Sequence, residues 1–195
     1  MVTVKQPIIL PTPEAVEAEL ARVRYRETFT RTLRSTFCVL LVIAATIVLL
    51  SALVLPVFRI NGTDMSPTMT TGELVVTLRK AQVKPGDIIA FYCNDKIQIK
   101  RVIAMGGDVV SVDAYGNVTV NDRPLDEPYL TDKAYGECNI TSPYRVSDGK
   151  IFVMGDHRAI SVDSRHTEIG CVAQEQIIGK VILRVWPFPT IRAFE

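Results

Sequence analysis

Only two histidines, His157 and His166, occur in the 195 residues, and no two of the four cysteines have C-x-x-C spacing. A zinc module needs several such ligands at short spacing, so neither a metal nor another cofactor is expected. Charge of one sign is lacking too. Twenty-two basic side chains face 21 acidic ones, a formal net charge of +1, which argues against a broad nucleic-acid surface. No internal repeat is evident. Apolar residues, in contrast, are plentiful: 48% of the chain against 22% charged, with a mean hydropathy of +0.21. That balance excludes a disordered chain and is unusual for an ordinary soluble domain. The length suits one modest domain with an extension.

The apolar excess is concentrated. From Thr36 through Phe58, 23 residues carry no charge. As a helix at ~1.5 Å per residue they would span about 34 Å, enough for a hydrocarbon core of about 30 Å. The alternative is a buried helix of a soluble domain, but no polar face appears at any helical spacing. A cleaved leader would be shorter and would rarely follow 35 mostly polar residues. Arg22, Arg24, Arg26, Arg31 and Arg34 precede the run, and basic flanks stay on the cytoplasmic side. The expectation is a cytoplasmic basic helical segment over 1–35, a transmembrane helix over 36–58 and an extracytoplasmic domain over 59–195. The stretch from Pro13 to Arg34 reads as helix, with acids early and arginines late.

Beyond Arg59 the pattern becomes short alternating runs. Glu73–Arg79, Asp87–Cys93, Lys96–Ile103, Lys150–Met154 and Gln176–Arg184 read as strands, and Asp108–Asp113 with Val118–Asn121 as a hairpin. Lys84-Pro-Gly-Asp87 and Asn94-Asp95 are turn signals. The domain is therefore expected to be mainly β, a folded or barrel-like sheet system, with a loop-rich excursion over about 112–150. Outside the membrane at most one disulfide could form among Cys93, Cys138 and Cys171, and buried packing thiols are the preferred reading.

Three stretches carry chemistry. They are Asn61-Gly-Thr-Asp-Met-Ser-Pro-Thr-Met-Thr-Thr-Gly72, Ile97-Gln-Ile-Lys-Arg-Val-Ile-Ala-Met-Gly-Gly-Asp108 and Gly155-Asp-His-Arg-Ala-Ile-Ser-Val-Asp-Ser-Arg165. In this order, behind a membrane span, the chain resembles the bacterial type I signal peptidases, membrane endopeptidases with a Ser/Lys dyad. The family patterns are G-x-S-M-x-P-T, K-R-V-I-G-x-x-G-D and G-D-N-x-x-x-S-x-D-S-R. The resemblance covers essentially Leu40 to Pro187. It implies a signal-peptidase-like β domain, exported preproteins as partners and membrane lipid beside the site.

A serine needs a base, and a lysine can serve when burial disfavours its ammonium. The resemblance gives Lys100 the base position. It gives Ser161 the serine that contacts that lysine, and Asp163 with Arg165 the supporting ion pair. Gly62 takes a place where some relatives carry an oxyanion-supporting hydroxyl. His157 replaces the usual asparagine in a loop-shaping position. Met65 and Ile99 are expected at the substrate groove, where an extended segment adds as a strand.

At the nucleophile position, however, stands Asp64. A carboxylate has no hydroxyl to deprotonate, its attack on an amide would give a high-energy anhydride, and beside Lys100 it favours the charged amine. An Asp64–Lys100 ion pair with impaired hydrolysis is the expectation. Ser66, two residues on, would lie about 6–7 Å away along an extended chain, whereas catalysis tolerates nearer 1 Å. The resemblance includes relatives that lack the nucleophile and assist assembly of surface pilins. A binding or assembly role for exported, for example pilin-like, subunits therefore competes with a working signal peptidase and with a purely structural anchored domain.

Overall fold

The computed structural model describes residues 13–194; residues 1–12 of the expected cytoplasmic segment lie outside the described residues. One α-helix, α1, runs from Pro13 to Val54, and it is long and apolar enough to cross a membrane, with its most apolar stretch unburied. The basic segment and the apolar run are thus one helix. It stops at Val54 rather than continuing to Phe58: Pro56 has no N–H to continue the ladder and disfavours helical geometry at Leu55. The last two residues of the expected span, Val57 and Phe58, belong instead to strand β1, Val57–Arg59. The helix through Leu50 forms one unit and residues 51–194 the other.

The second unit is β. After β1 come β2 (Leu74–Leu78), β3 (Ile88–Cys93), β4 (Lys96–Met105), β5 (Val109–Val112), β6 (Val118–Val120), β7 (Arg123–Pro124) and β8 (Tyr144–Arg145). Then follow β9 (Lys150–Met154), β10 (Val172–Ala173), β11 (Ile177–Trp186) and β12 (Arg192–Ala193). The main sheet has the order β1-β2-β11-β3-β4-β9-β10, with β12 beside β11; β7-β6-β5-β8 form a smaller one. Neither closes into a barrel. The small sheet contains the expected hairpin as β5 and β6, and the loop-rich excursion adds the short strands β7 and β8 to it, around a cluster with Val110, Val112, Val118 and Val146.

Local chemistry explains the hairpins. Cys93 pairs with Lys96 across Asn94-Asp95, whose φ angles are 49° and 59°, the left-handed values a two-residue hairpin turn requires. Asn121 and Asp122, at 52° and 61°, turn β6 into β7 in the same way. In the main sheet β2, β11 and β3 separate β1 from β4, yet Phe58 of β1 and Ile99 of β4 pack on one cluster with Ile60, Met69, Val75, Ile88 and Val181. The sheet is therefore strongly coiled, and this coiling brings the segment after β1 to β4. A further consequence follows from lengths. β3 pairs with β4 along Lys96–Arg101, whereas β9 joins β4 only from Arg101 onward. Lys96–Ile99 are left with an edge that no described strand covers.

Candidate functional site

Lys100 sits at the end of that open edge. Its side chain is fully buried, and its Nζ donates to Asp64 Oδ2 at 2.5 Å and to Ser161 Oγ at 2.8 Å. Asp64 lies in the turn-rich segment between β1 and β2 and keeps 42% of its side chain exposed, so the pair has one buried and one solvent-facing member. Ser66 makes no bond to Lys100; its amide closes a turn on Thr63 O at 3.0 Å. Gly62 has φ +102°, a conformation that disfavours any side chain, and its carbonyl accepts from Thr71 Oγ1 at 2.8 Å. Among the described residues the Asp64 amide donates to no protein acceptor, while its carbonyl accepts the His157 amide at 2.8 Å. His157 thus shapes the loop through its backbone.

The loop from Gly155 to Arg165 is held by charge. Arg165 forks onto Asp163, Nε to Oδ1 at 2.8 Å and Nη2 to Oδ2 at 2.9 Å, and neither side chain is exposed. Its remaining donors reach the carbonyls of Arg158 at 3.0 Å and Tyr135 at 2.7 Å. Asp163 Oδ2 also accepts the Gly155 amide at 2.9 Å. Bidentate pairs of this kind fix geometry as well as charge. Gly62, Asp64, Lys100, Ser161, Asp163 and Arg165 are accordingly one connected neighbourhood. Met65, at 3% exposure, is packed into the hydrophobic cluster beneath the site. Ile99 stays half-buried at the cluster's margin.

Several residues escaped sequence reasoning. Arg101, next to Lys100, forks onto Asp156 at 2.8 and 2.6 Å, Thr68 Oγ1 donates to the same carboxylate at 2.5 Å, and the guanidinium lies 3.8 Å from the centre of the Tyr129 ring. Arg158 pairs with Glu127, both fully buried. Burial, with the Glu127 carboxylate second, pushes the Tyr129 phenol well above its usual range, so it stays a donor, to Glu127 Oε1 at 3.2 Å. Three arginines thus tie the loop and β4 to the excursion. The K-R and G-D pairs in the motifs hinted at Arg101 and Asp156; nothing flagged Glu127. All four cysteines are free, and burial raises the thiols of Cys93 and Cys171, in keeping with packing roles.

Gly155 also proves decisive. A Cβ there would lie 2.1 Å from Ser161 Oγ, 2.5 Å from Ser161 Cβ and 2.7 Å from Asp64 O. Overpacking of this kind costs about 1–3 kcal/mol. Gly155→Ala is expected to lower the urea midpoint correspondingly, with unchanged denaturant slope, because no small side-chain rotation relieves the backbone contact.

Comparison with known proteins adds a second line of information. Residues 31–186 match the family described as signal peptidase, peptidase S26. The chain is 37% identical over 149 residues to signal peptidase I of Bacillus caldolyticus, covering 67% of this chain and 79% of that one. It is 35% identical over 153 residues to signal peptidase IB of Staphylococcus aureus, strain COL, covering 67% and 78%. A solved signal peptidase I from Enterococcus faecalis aligns with 28% identity and a TM-score of 0.44, over 51% of this chain and 97% of that one.

Proposed function

The chain belongs to the peptidase S26 family of signal peptidases, and from that premise we propose that it receives exported preproteins at the outer face of a membrane but holds rather than cuts them. The observation that carries this reading is the Asp64–Lys100 ion pair at 2.5 Å. The family reaction, cleavage of signal peptides, needs a hydroxyl at position 64 and a free amine at position 100, and this pair supplies neither. The helix Pro13–Val54 is the anchor, with its arginine-rich start on the cytoplasmic side and the β unit outside. Trp186 and Phe188, 47% and 69% exposed with rings 5.1 Å apart, are suited to the lipid interface. The occupant is an extended segment, lying along the uncovered Lys96–Ile99 edge of β4 with small side chains beside Ile99. Pilin-like subunits awaiting assembly are partners of that form.

Purified full chain, mixed with a fluorogenic signal-peptide substrate, is expected to bind it with turnover about 10⁶-fold below a Ser/Lys enzyme. Robust turnover that survives Asp64→Ala and disappears in Ser66→Ala would restore the competing reading of a working peptidase. The edge itself has its own test. Two N-methyl groups placed on alternate amides of a bound peptide should remove two ladder bonds, each worth roughly 1 kcal/mol, and weaken binding by about thirtyfold in fluorescence anisotropy. Methylation of the intervening amides, which face away from β4, should do far less.

A further inference from the structure

A cavity of about 720 Å³ lies away from the Asp64–Lys100 site, sharing no lining residue with it, between the turn after β2 and the start of β11. Its floor is apolar: Val83, Met105 and Ile177 line it and pack on the cluster of Ile89, Phe91 and Val153. Its rim is cationic. Arg79 and Lys80 are exposed and neither enters an ion pair; among the described residues the paired cations are Lys100, Arg101, Arg158, Arg165, Lys180 and Arg184. One carboxylate, Glu175, lines the cavity against these two cations.

The rim is fixed at the end of the apolar helix. Arg79 N donates to the carbonyl of Val54, the last helical residue, at 3.1 Å, and Thr77 N to that of Pro56 at 2.9 Å. Leu53 and Val54 remain exposed beside it. Where an apolar span ends, the headgroup layer begins, and basic side chains at that depth are attracted to anionic lipid. An apolar floor below a cationic rim matches a molecule with a negative head and hydrocarbon chains. We propose that this cavity seats an anionic phospholipid, its phosphate on Arg79 and Lys80 and the start of its chains on Val83, Met105 and Ile177. The proposal rests on the helix crossing the membrane, but on nothing about what occupies the Asp64–Lys100 groove.

Native mass spectrometry of the full chain released from detergent micelles tests this. Dioleoyl phosphatidylglycerol should be retained, and dioleoyl phosphatidylcholine retained at least about tenfold less. R79Q/K80N should weaken phosphatidylglycerol retention about thirtyfold; asparagine suits the positive φ of 56° at Lys80. R123Q/R145Q, which removes two exposed cations elsewhere on the unit, should leave retention unchanged. Equal loss in both double variants, no loss in R79Q/K80N, or equal retention of both lipids would overturn the proposal. So would displacement of the lipid by glycerol 3-phosphate at equal concentration, since the apolar floor would then contribute nothing. No exported segment is present in this measurement, so its failure is distinct from failure of the groove. Failure of the anchor would show separately, as release of the chain from membranes by alkaline carbonate.

Discussion

Asp64→Ser is expected to raise cleavage of a signal-peptide substrate by at least about 10³-fold over the unaltered chain, because a missing nucleophile typically lowers turnover by about 10⁶. The remaining parts are in place for it. Lys100 is fully buried and already touches Ser161 at 2.8 Å, so a serine at position 64 would meet an amine whose orientation is set. Removing the carboxylate also removes the ion pair that now engages the Lys100 Nζ. The amide of residue 64, which donates to nothing among the described residues, is free to support an oxyanion. Asp64→Ser combined with Lys100→Met should stay inert, as should Asp64→Ala. An inert Asp64→Ser variant that folds normally would show that more than the nucleophile has been lost.

The second large effect is on folding. Arg165→Leu should destabilise the β unit by about 3–5 kcal/mol, the usual consequence of stripping one partner from a buried ion pair, and lower its melting temperature by roughly 10 °C. Asp163 would keep a buried charge without its fork, and the carbonyls of Tyr135, Arg158 and Ser161 would lose their donor. Arg165→Lys should recover part of the loss, since one ammonium cannot satisfy a planar fork. Asp163→Asn together with Arg165→Leu should be less damaging than the sum of the two single changes, the mark of direct coupling. A loss below about 1 kcal/mol for Arg165→Leu would mean that the loop holds its shape by other contacts.

Much of this architecture was legible in the chain. Ile88–Cys93 and Lys96–Met105 announced themselves through β-rich runs split by Asn94-Asp95, and the meeting of Asp64 with Lys100 through three ordered motifs. Val57–Arg59 was hidden because a strand that follows an apolar helix continues the same composition; only Pro56 marked the change of period. The burial of Met65 was not legible, because alternation cannot tell a side chain turned into a core from one turned toward a guest. The Arg101–Asp156 and Arg158–Glu127 pairs were invisible for another reason: they join residues 55 and 31 positions apart, and no local pattern encodes such meetings.

The uncovered stretch of β4 has an implication for the protein's behaviour in solution. A bare ladder that welcomes a visiting strand would welcome its own copy as readily. Its sequence opposes that. Lys96 stands exposed at the start of that edge, and an exposed lysine on an edge strand works against pairing with a second copy. The exposed lysine thus counts against neighbouring molecules stitching themselves together along this edge.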